Sequence, residues 1–123
     1  MCTTPNTIKL GFTNDPYPAG THMCMIYSSE EERKQTLSKF IEGGLSSGEK
    51  VSYFTDELEP QQVKDWLVES GVNLPDDPSG ELFCVSNAAD VYHPTGLFDP
   101  DSMLNSLEAF YDSAIAANCP LSI

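Results

Sequence analysis

The sequence predicts an α/β fold in which a mostly parallel sheet packs against flanking helices in a three-layer arrangement. Short apolar runs alternate with longer segments whose apolar residues recur at helical spacing. The connections between successive runs are long enough for crossover helices, as parallel strands require. A chain of 123 residues, 40% of them apolar, can also bury the core of one domain.

Residues 1–20 are predicted to be an irregular N-terminal lead-in, because prolines recur through them. Residues 21–123 are then predicted to form a single α/β domain. Its first strand is expected over residues 21–27, an apolar run in which Cys24 would be a small buried residue. Three apolar residues of the lead-in are expected to pack against this domain: Ile8, Leu10 and Phe12.

Capping signals place the first two helices. Ser29 followed three residues later by Glu32 is a capping-box pattern, and Gly48 marks the end of that helix. Between these ends, apolar side chains recur at the spacing of one buried helical stripe. Pro60 suits the first position of the second helix, which Gly71 ends.

The remaining elements follow from similar signals. Asp99 is expected to cap the last helix, with Pro100 at its first position, and residues 87–98 are predicted to be a long connection before it. A parallel sheet of so few strands usually continues, so the fold is expected to be incomplete at its C-terminus. The strands expected after the first one cover residues 51–55, 82–86 and 120–123.

The chain carries a formal net charge of −13, which repels anionic polymers and surfaces. Binding of nucleic acid or of a membrane by this domain is therefore not expected. The four cysteines form no C-x-x-C pair, no signal-peptide pattern is present, and no apolar run approaches the roughly 20 residues that span a bilayer. These features predict a cytoplasmic protein with reduced cysteines.

The turn from the first predicted strand into the first helix has the position of a phosphate-binding loop but not its composition. Such a loop needs glycines, free backbone N–H groups and a lysine. Residues 27–32 contain neither glycine nor lysine, and they end in three consecutive glutamates. We therefore expect no nucleotide binding, no enzymatic activity and no cofactor.

Ligands of open α/β sheets bind beyond the carboxyl ends of the strands. Hydroxyl, carboxylate, amide and aromatic groups follow the predicted strands there, and such a rim suits a small polar organic molecule. In the simpler alternative, Ser28 and Ser29 only cap the helix, and the two acidic residues are solvated turn residues. The predicted ligand-binding residues are Tyr27, Ser28, Asp56, Glu57, Asn87 and Tyr92.

A metal site is a weaker alternative. His22 and Cys24 are two residues apart on the first predicted strand, so their side chains would share one face. Such a pair could supply two ligands to a metal ion, with His93 as a third. A structural histidine beside a core cysteine is the simpler interpretation, and no metal site is predicted.

Three aromatic side chains, Tyr92, His93 and Phe98, are expected to cluster on the long connection. The cluster is either a lid over an apolar ligand or packing that anchors the loop. The sequence leaves both roles open.

Three segments resemble successive blocks of the MEDS domain, the methanogen/methylotroph sensory domain: GTHMCMIY at 20–27, GGLSSGEKV at 43–51 and GLFDPDSML at 96–104. The segment 40–82 is also similar to RecA- and KaiC-type ATPases, of which the MEDS domain looks like a degenerate relative. Those ATPases carry a G-x-x-x-x-G-K-[ST] loop after the first strand, and this chain has none. The resemblance therefore implies a RecA/KaiC-like fold without that loop.

By the same resemblance, the chain is a non-enzymatic sensory domain of a prokaryotic signalling or transcription-regulatory protein. It would bind a small organic compound, one-carbon or hydrocarbon-derived, and signal to an output domain or a partner chain. The alternative is a protein-interaction or dimerisation module without a ligand, while an ATPase or hydrolase is least favoured. A sensor needs a closed polar pocket, whereas an interaction module needs an exposed apolar patch. A homodimer is expected, because an incomplete sheet leaves an edge that tends to pair with another chain.

Overall fold

The computed structural model describes residues 7–93, 95–117 and 121–123. Within them, short strands form two small sheets, and helices pack on one of these sheets. No helix in these ranges is both long enough and apolar enough to cross a bilayer. The strands are β1 (Thr7–Ile8), β2 (Tyr17–Pro18), β3 (Lys50–Thr55), β4 (Phe83–Asn87) and β5 (Leu121–Ser122). The helices are α1 (Glu30–Ser46), α2 (Pro60–Glu69), α3 (Ala88–Tyr92) and α4 (Pro100–Ala116).

A small parallel sheet in the order β4–β3–β5 forms the centre of the fold. β3 pairs with β4 along its length, up to Thr55 opposite Asn87, and its first residues pair with β5. The prediction of a mixed α/β fold with a parallel sheet and packed helices is therefore confirmed. β3 is therefore the middle strand of this sheet, with β4 on one side and β5 on the other.

Three of the four predicted strands are confirmed. The strands predicted over residues 51–55 and 82–86 are β3 and β4, with limits shifted by one residue. The strand predicted over residues 120–123 corresponds to β5, and its first residue, Pro120, lies outside the described residues.

The first predicted strand, over residues 21–27, is wrong. Its backbone pairs with no strand in the described part of the chain, and its apolar side chains are exposed, with Ile26 at 93%. Cys24 is also exposed, so the prediction of a buried cysteine is wrong as well. An apolar run becomes a strand only where a neighbouring strand supplies its hydrogen bonds, and sequence periodicity does not specify that neighbour.

One face of the sheet packs against α1 and α2 through a continuous apolar core. Val51 of β3 and Phe83 of β4 project towards these helices, and Leu67 of α2 is fully buried between them. Burial of each such side chain contributes roughly 1.5–3 kcal/mol to the free energy of unfolding. The buried residues of this core are Ile41, Val51, Val63, Trp66, Leu67, Val72 and Phe83.

The other face of β3 meets α3 and α4. Residues alternate between faces along a strand, so Lys50 and Phe54 share the face opposite the apolar core. Lys50 Nζ donates a hydrogen bond to Ser113 Oγ of α4 at 2.6 Å. The Phe54 ring contacts Tyr92 of α3 and Phe110 of α4. Helices therefore contact both faces of β3.

Both predicted ends of α1 are confirmed, with one difference in the capping box. Ser29 Oγ accepts the Glu32 N–H at 3.2 Å, as predicted, whereas Glu32 Oε2 accepts the N–H of Ser28 at 2.8 Å. At the C-terminal end, Gly48 adopts a φ of +76° and donates its N–H to the Leu45 carbonyl at 3.1 Å. This left-handed glycine satisfies a terminal carbonyl that would otherwise lack a partner.

The predicted starts of α2 and α4 are confirmed too. Pro60 and Pro100 occupy the first positions of the two helices. Asp99 Oδ1 accepts the Asp101 N–H at 3.1 Å, and Asp99 Oδ2 accepts the Ser102 hydroxyl at 2.7 Å. These hydrogen bonds lower the pKa of Asp99, and the one from the Ser102 hydroxyl has the largest effect. The Asp99 carboxylate therefore holds the first turn of α4.

The lead-in crosses α1 at a close contact between two backbones. A Cβ atom at Gly11 would lie 1.9 Å from the Lys39 carbonyl oxygen, and the φ of Gly11 is +79°. Only glycine therefore fits at this position. Leu10 is buried, as predicted, while Phe12 is largely exposed. The antiparallel pair β1–β2 is an element that the prediction of an irregular lead-in did not include.

Helix α3 lies within the segment that was predicted to be a connection. Asn87 Oδ1 accepts the Ala89 N–H at 2.9 Å, so the last residue of β4 caps the helix directly. Two alanines follow and favour the helical conformation. The chain consequently turns from sheet to helix without an intervening loop.

Candidate functional site

The carboxyl ends of β3 and β4 lie side by side. Thr55 and Asn87 are opposite each other in the register, and Asp56 and Glu57 follow Thr55 directly. The structure therefore brings the acidic pair and Asn87 to the same edge, as the sequence predicted. Both acidic side chains are exposed and face solvent there.

Thr55 fixes the turn that carries the acidic pair. Its side chain is buried, and its Oγ1 donates to the Leu58 carbonyl at 3.0 Å and accepts the Leu58 N–H at 3.3 Å. Such a hydroxyl–backbone turn holds the intervening residues in one conformation. Sequence reasoning missed this role, although a threonine at a strand end followed by aspartate is a turn signal.

Asn87 can offer a ligand only part of its amide. Its Oδ1 already accepts the Ala89 N–H at the start of α3, so its NH₂ group is the available donor. The side chain is half-buried, which limits its rotation. An Asn87–ligand contact would therefore be a hydrogen bond from the NH₂ group to an acceptor on the ligand.

Aromatic rings lie close to this edge, on the face that meets α3 and α4. The Phe54 and Tyr92 ring centroids are 6.0 Å apart in an edge-to-face arrangement, and those of Phe54 and Phe110 are 5.4 Å apart. Sequence reasoning missed Phe54 and Phe110. Phe54 lies far from both Tyr92 and Phe110 in the sequence, so no local signal could have predicted its contacts with them.

The predicted aromatic cluster on the connection is divided in the structure. His93 and Phe98 pair edge-to-face, with ring centroids 5.6 Å apart, whereas Tyr92 packs on Phe54 of the sheet. The sequence left two roles open for these rings, a lid over an apolar ligand or packing that anchors the loop. The observed contacts match packing that anchors α3 and the following residues. Tyr92 remains half-buried, so part of its side chain is accessible to solvent.

Tyr27 and Ser28 are placed differently from the prediction, because the strand that would have carried them does not form. Both are exposed, and Ser28 contributes only its N–H, to Glu32, whereas Ser29 supplies the side-chain cap. Within the described ranges, no hydrogen bond or ring contact joins either of them to the other four predicted residues. These four are Asp56, Glu57, Asn87 and Tyr92.

Arg33 connects the start of α1 to the sheet. Its Nη1 donates to the Tyr53 hydroxyl at 3.1 Å, and its Nη2 forms an ion pair with Glu30 at 2.8 Å. The hydrogen bond to Glu30 raises the pKa of Arg33, and the same bond lowers the pKa of Glu30. Tyr53 lies two residues before Thr55, so this contact places the start of α1 near the same edge. Sequence reasoning missed Arg33, although its i,i+3 spacing from Glu30 is an ion-pair signal.

The electrostatic character of this edge is acidic. The first turn of α1 contains Glu30, Glu31 and Glu32, whose negative charges are stabilised by the positive end of the helix dipole. Asp56 and Glu57 add two exposed carboxylates, and the guanidinium of Arg33 is already paired with Glu30. A neutral or cationic molecule therefore meets less repulsion here than an anion does.

The alternative metal ligands do not assemble. No group of three or more His, Cys, Asp or Glu side chains in the described part of the chain could hold a metal ion. His22, Cys24 and His93 are all exposed, and the segment with His22 and Cys24 is not a strand, so the argument that they share a face no longer applies.

Two open cavities lie on the surface of the domain. One, of about 330 Å³, lies between the C-terminal part of α1 and residues 73–75. The other, of about 530 Å³, lies along the first turns of α1 beside Ser70. Neither is lined by any of the six predicted ligand-binding residues. Neither of these two cavities therefore provides the closed polar pocket that a sensor would need at this edge.

Comparison with known proteins gives one result. Neither the curated proteins nor the solved structures contain a match to the chain. The family model named MEDS, for methanogen/methylotroph, DcmR sensory domain, matches residues 21–120, which is most of the chain. This match begins directly after the lead-in of residues 1–20 and includes helices α1 to α4. The chain therefore belongs to the MEDS family of sensory domains.

Proposed function

We propose that this chain is a non-enzymatic sensory domain that binds a small organic molecule at the carboxyl edge of β3 and β4. The observation that carries the proposal is the register of Thr55 opposite Asn87, which places the acidic turn beside a free amide donor. Membership of a sensory family supports the role, and ligands of open α/β sheets bind at this edge. The domain would belong to a cytoplasmic signalling or transcription-regulatory protein.

The groups at this edge favour a neutral or cationic ligand. Asp56 and Glu57 attract positive charge, the Asn87 NH₂ group donates to an oxygen or nitrogen atom, and the accessible part of Tyr92 can stack on a methylated cation. Methylated amines and other one-carbon or hydrocarbon-derived compounds have this chemistry. Anionic compounds would be repelled by the acidic residues of the edge.

Two structural features support a fold related to RecA- and KaiC-type ATPases that has lost its nucleotide site. Helices contact both faces of β3, as in a three-layer sheet. The turn into α1 contains three glutamates and no glycine or lysine. The glutamates would repel a phosphate group, and no lysine ammonium is present in this turn to bind one. We propose that the domain therefore neither binds nor hydrolyses nucleotides.

A thermal-shift titration with tetramethylammonium chloride, methylamine and methanol tests the ligand site, with formate as the anionic counterpart. We expect at least one of the first three compounds to raise the melting temperature, and formate to have no effect. Asn87→Asp keeps the oxygen that caps α3 but replaces the NH₂ donor, and Asp56→Asn removes one carboxylate. Asp56→Asn should weaken the shift caused by tetramethylammonium and methylamine, because one attracting carboxylate is lost. Asn87→Asp should weaken the shift caused by methanol, whose oxygen loses the NH₂ donor.

The matched control is Asp76→Asn, which changes an exposed aspartate in the loop before β4, away from the edge. This variant should respond to the compounds as the unchanged protein does. Stabilisation by formate alone, or an equal response of all three variants, would show that the site is not at this edge.

The second candidate function is an interaction module without a ligand. The specific observation in its favour is the exposure of Met23, Met25, Ile26 and Tyr27. If this run pairs with a second copy, the protein is a dimer in sedimentation equilibrium and Ile26→Ser makes it monomeric. A monomer at high protein concentration would contradict both this candidate and the expected homodimer.

A further inference from the structure

Helix α4 carries two apolar stripes, and only one of them is covered by the domain. Met103, Leu107 and Phe110 face the rest of the domain together with the fully buried Ala114. A second set lies at positions i, i+7 and i+11, which share one line along a helix. These residues are Leu104, Tyr111 and Ile115, with exposed fractions of 58%, 57% and 53%.

The charge around the exposed stripe has one sign. Glu108 lies within the stripe, one turn after Leu104, and Asp101 and Asp112 are also exposed on α4. The last lysine or arginine of the sequence is Lys64, so neither α4 nor any later residue supplies a compensating basic side chain. A surface that combines aliphatic and aromatic side chains with unpaired carboxylates is complementary to one that combines apolar and basic side chains.

Lys50 forms a hydrogen bond with α4, but it does not change the charge of the exposed stripe. Lys50 Nζ donates to Ser113 Oγ from the sheet side, and the Lys50 side chain is 94% buried, with 6% exposed. Its charge therefore stabilises the inner side of the helix near the C-terminal end, where the helix dipole is negative. The outer side keeps its acidic character.

We propose that the exposed stripe of α4 is the docking surface for a cationic amphipathic helix of a partner protein. Leucine-like side chains of the partner would cover Leu104, Tyr111 and Ile115, and its lysines or arginines would pair with the carboxylates of α4. Helix α4 has 17 residues and is therefore about 25 Å long, which is enough for a partner helix of four to five turns.

The same features disfavour the other occupants. A two-fold pairing of two copies centred on the stripe would bring the two Glu108 carboxylates to within about one helical turn of each other, between chains that each carry a charge of −13. Anionic membranes and nucleic acids meet the same repulsion. A basic protein segment is the occupant that gains from both the apolar and the charged part of the surface.

Binding of a fluorescein-labelled synthetic peptide of about 18 residues, with leucine at the a and d positions and lysine elsewhere, tests the proposal by fluorescence anisotropy. Two control peptides separate the contributions. In one, glutamate replaces lysine, and in the other, serine replaces leucine. We expect saturable binding of the leucine–lysine peptide, and at least tenfold weaker binding of both controls.

Protein variants locate the site. Leu104→Ser combined with Ile115→Ser should weaken binding of the leucine–lysine peptide at least tenfold, while circular dichroism shows the helix content retained. Val68→Ser is the matched control, because Val68 is also an exposed apolar residue on a helix, α2, with 59% of its surface accessible. This variant should bind as the unchanged protein does.

Three outcomes would overturn the proposal. The first is that the double variant binds the leucine–lysine peptide as tightly as the unchanged protein does. The second is that the serine–lysine peptide binds as tightly as the leucine–lysine peptide, which charge alone would explain. The third is that the unchanged protein is a dimer and the double variant is a monomer. The proposal does not depend on the ligand at the sheet edge. The response of the double variant to tetramethylammonium in the thermal-shift titration is expected to be unchanged, so either proposal can fail without the other.

Discussion

The two faces of the central sheet differ in composition, and the difference separates stability from interaction. The face towards α1 and α2 is mainly apolar, with Ile41, Val63 and Leu67 at 1% exposure or less. The helices on this side still bury two polar atoms without a hydrogen-bond partner among the described residues, Ser38 Oγ and Trp66 Nε1. The face towards α3 and α4 contains Lys50, Ser52 and Phe54 of β3, and β4 adds small polar residues. In the described structure, Ser52 Oγ is buried without a hydrogen-bond partner.

Unpartnered polar atoms are buried on both sides of the sheet, and the buried ammonium of Lys50 makes the second face less favourable for folding than the first. Both proposed functions nevertheless involve elements that pack on this second face. Tyr92 contacts Phe54 beside the candidate ligand edge, and α4 carries the exposed stripe. We infer that the first face supplies most of the stability, which allows the second to carry groups suited to binding.

The largest expected effect tests the apolar face. Leu67→Ala removes a fully buried side chain from α2 and should lower the free energy of unfolding by about 3 kcal/mol, measured by urea denaturation. Val68→Ala, on the exposed side of the same helix, should change it by less than about 0.5 kcal/mol. If the two variants were equally stable, the apolar face would not dominate stability.

A smaller effect is expected at the start of α1, which packs on the apolar face. Ser29→Ala removes the side-chain acceptor of the Glu32 N–H and should cost about 1 kcal/mol in the same measurement. Ser28→Ala is the control, since Ser28 contributes only its backbone N–H to this cap. A loss of stability in Ser28→Ala as large as that in Ser29→Ala would mean that the assignment of the cap is wrong.

An effect confined to acid pH is expected at the entrance to β4. The Asp77 carboxylate accepts hydrogen bonds from the Leu82 N–H and the Ser79 hydroxyl, at 2.6 and 2.7 Å, which lower its pKa from 3.8 to about 2. A lowered folded-state pKa gives stability that is present above about pH 4 and is lost as the pH falls towards 2.

Asp77→Asn should remove that part of the pH dependence of the melting temperature, whereas Asp76→Asn should leave it unchanged. An acid profile of Asp77→Asn identical to that of the unchanged protein would show that this carboxylate does not hold the turn.

The smallest effect is expected on the second face. Ser52→Ala removes a buried hydroxyl that has no partner among the described residues, so the free energy of unfolding should stay constant or rise by up to about 1 kcal/mol. Ser38→Ala, at an equally unpartnered hydroxyl on α1, should behave alike. If Ser52→Ala lowered the free energy of unfolding by more than about 1 kcal/mol in urea denaturation, this hydroxyl would make a stabilising interaction, contrary to the prediction.

Local signals predicted much of the fold because they act within a few residues. The cap at Ser29, the left-handed Gly48 and the start of α4 at Asp99 and Pro100 all depend on neighbouring backbone groups, and all are confirmed. The strand over residues 21–27 failed because strand formation depends on a distant partner. Periodicity alone could not reveal that no strand in the described part of the chain pairs with it.

The candidate site shows the same limit. Asp56, Glu57 and Asn87 could be placed together, because parallel strands align their carboxyl ends. The contact between Tyr92 and Phe54 and the contact between Arg33 and Tyr53 could not, since each joins residues that are at least 20 positions apart in the sequence. Long-range contacts of this kind are set by how helices pack on the sheet, and no short motif encodes them.

The absence of lysine and arginine after Lys64 has a practical consequence for proteolysis. Trypsin cleaves after these two residues, so it can report opening of α1, β3 or the start of α2, but no opening of β4, α3 or α4. Chymotrypsin and glutamate-specific proteases can cut at Tyr111 and Glu108, both of which are exposed on α4. If a bound partner slows cleavage at these two bonds and leaves tryptic cleavage unchanged, the partner covers the C-terminal half of the domain.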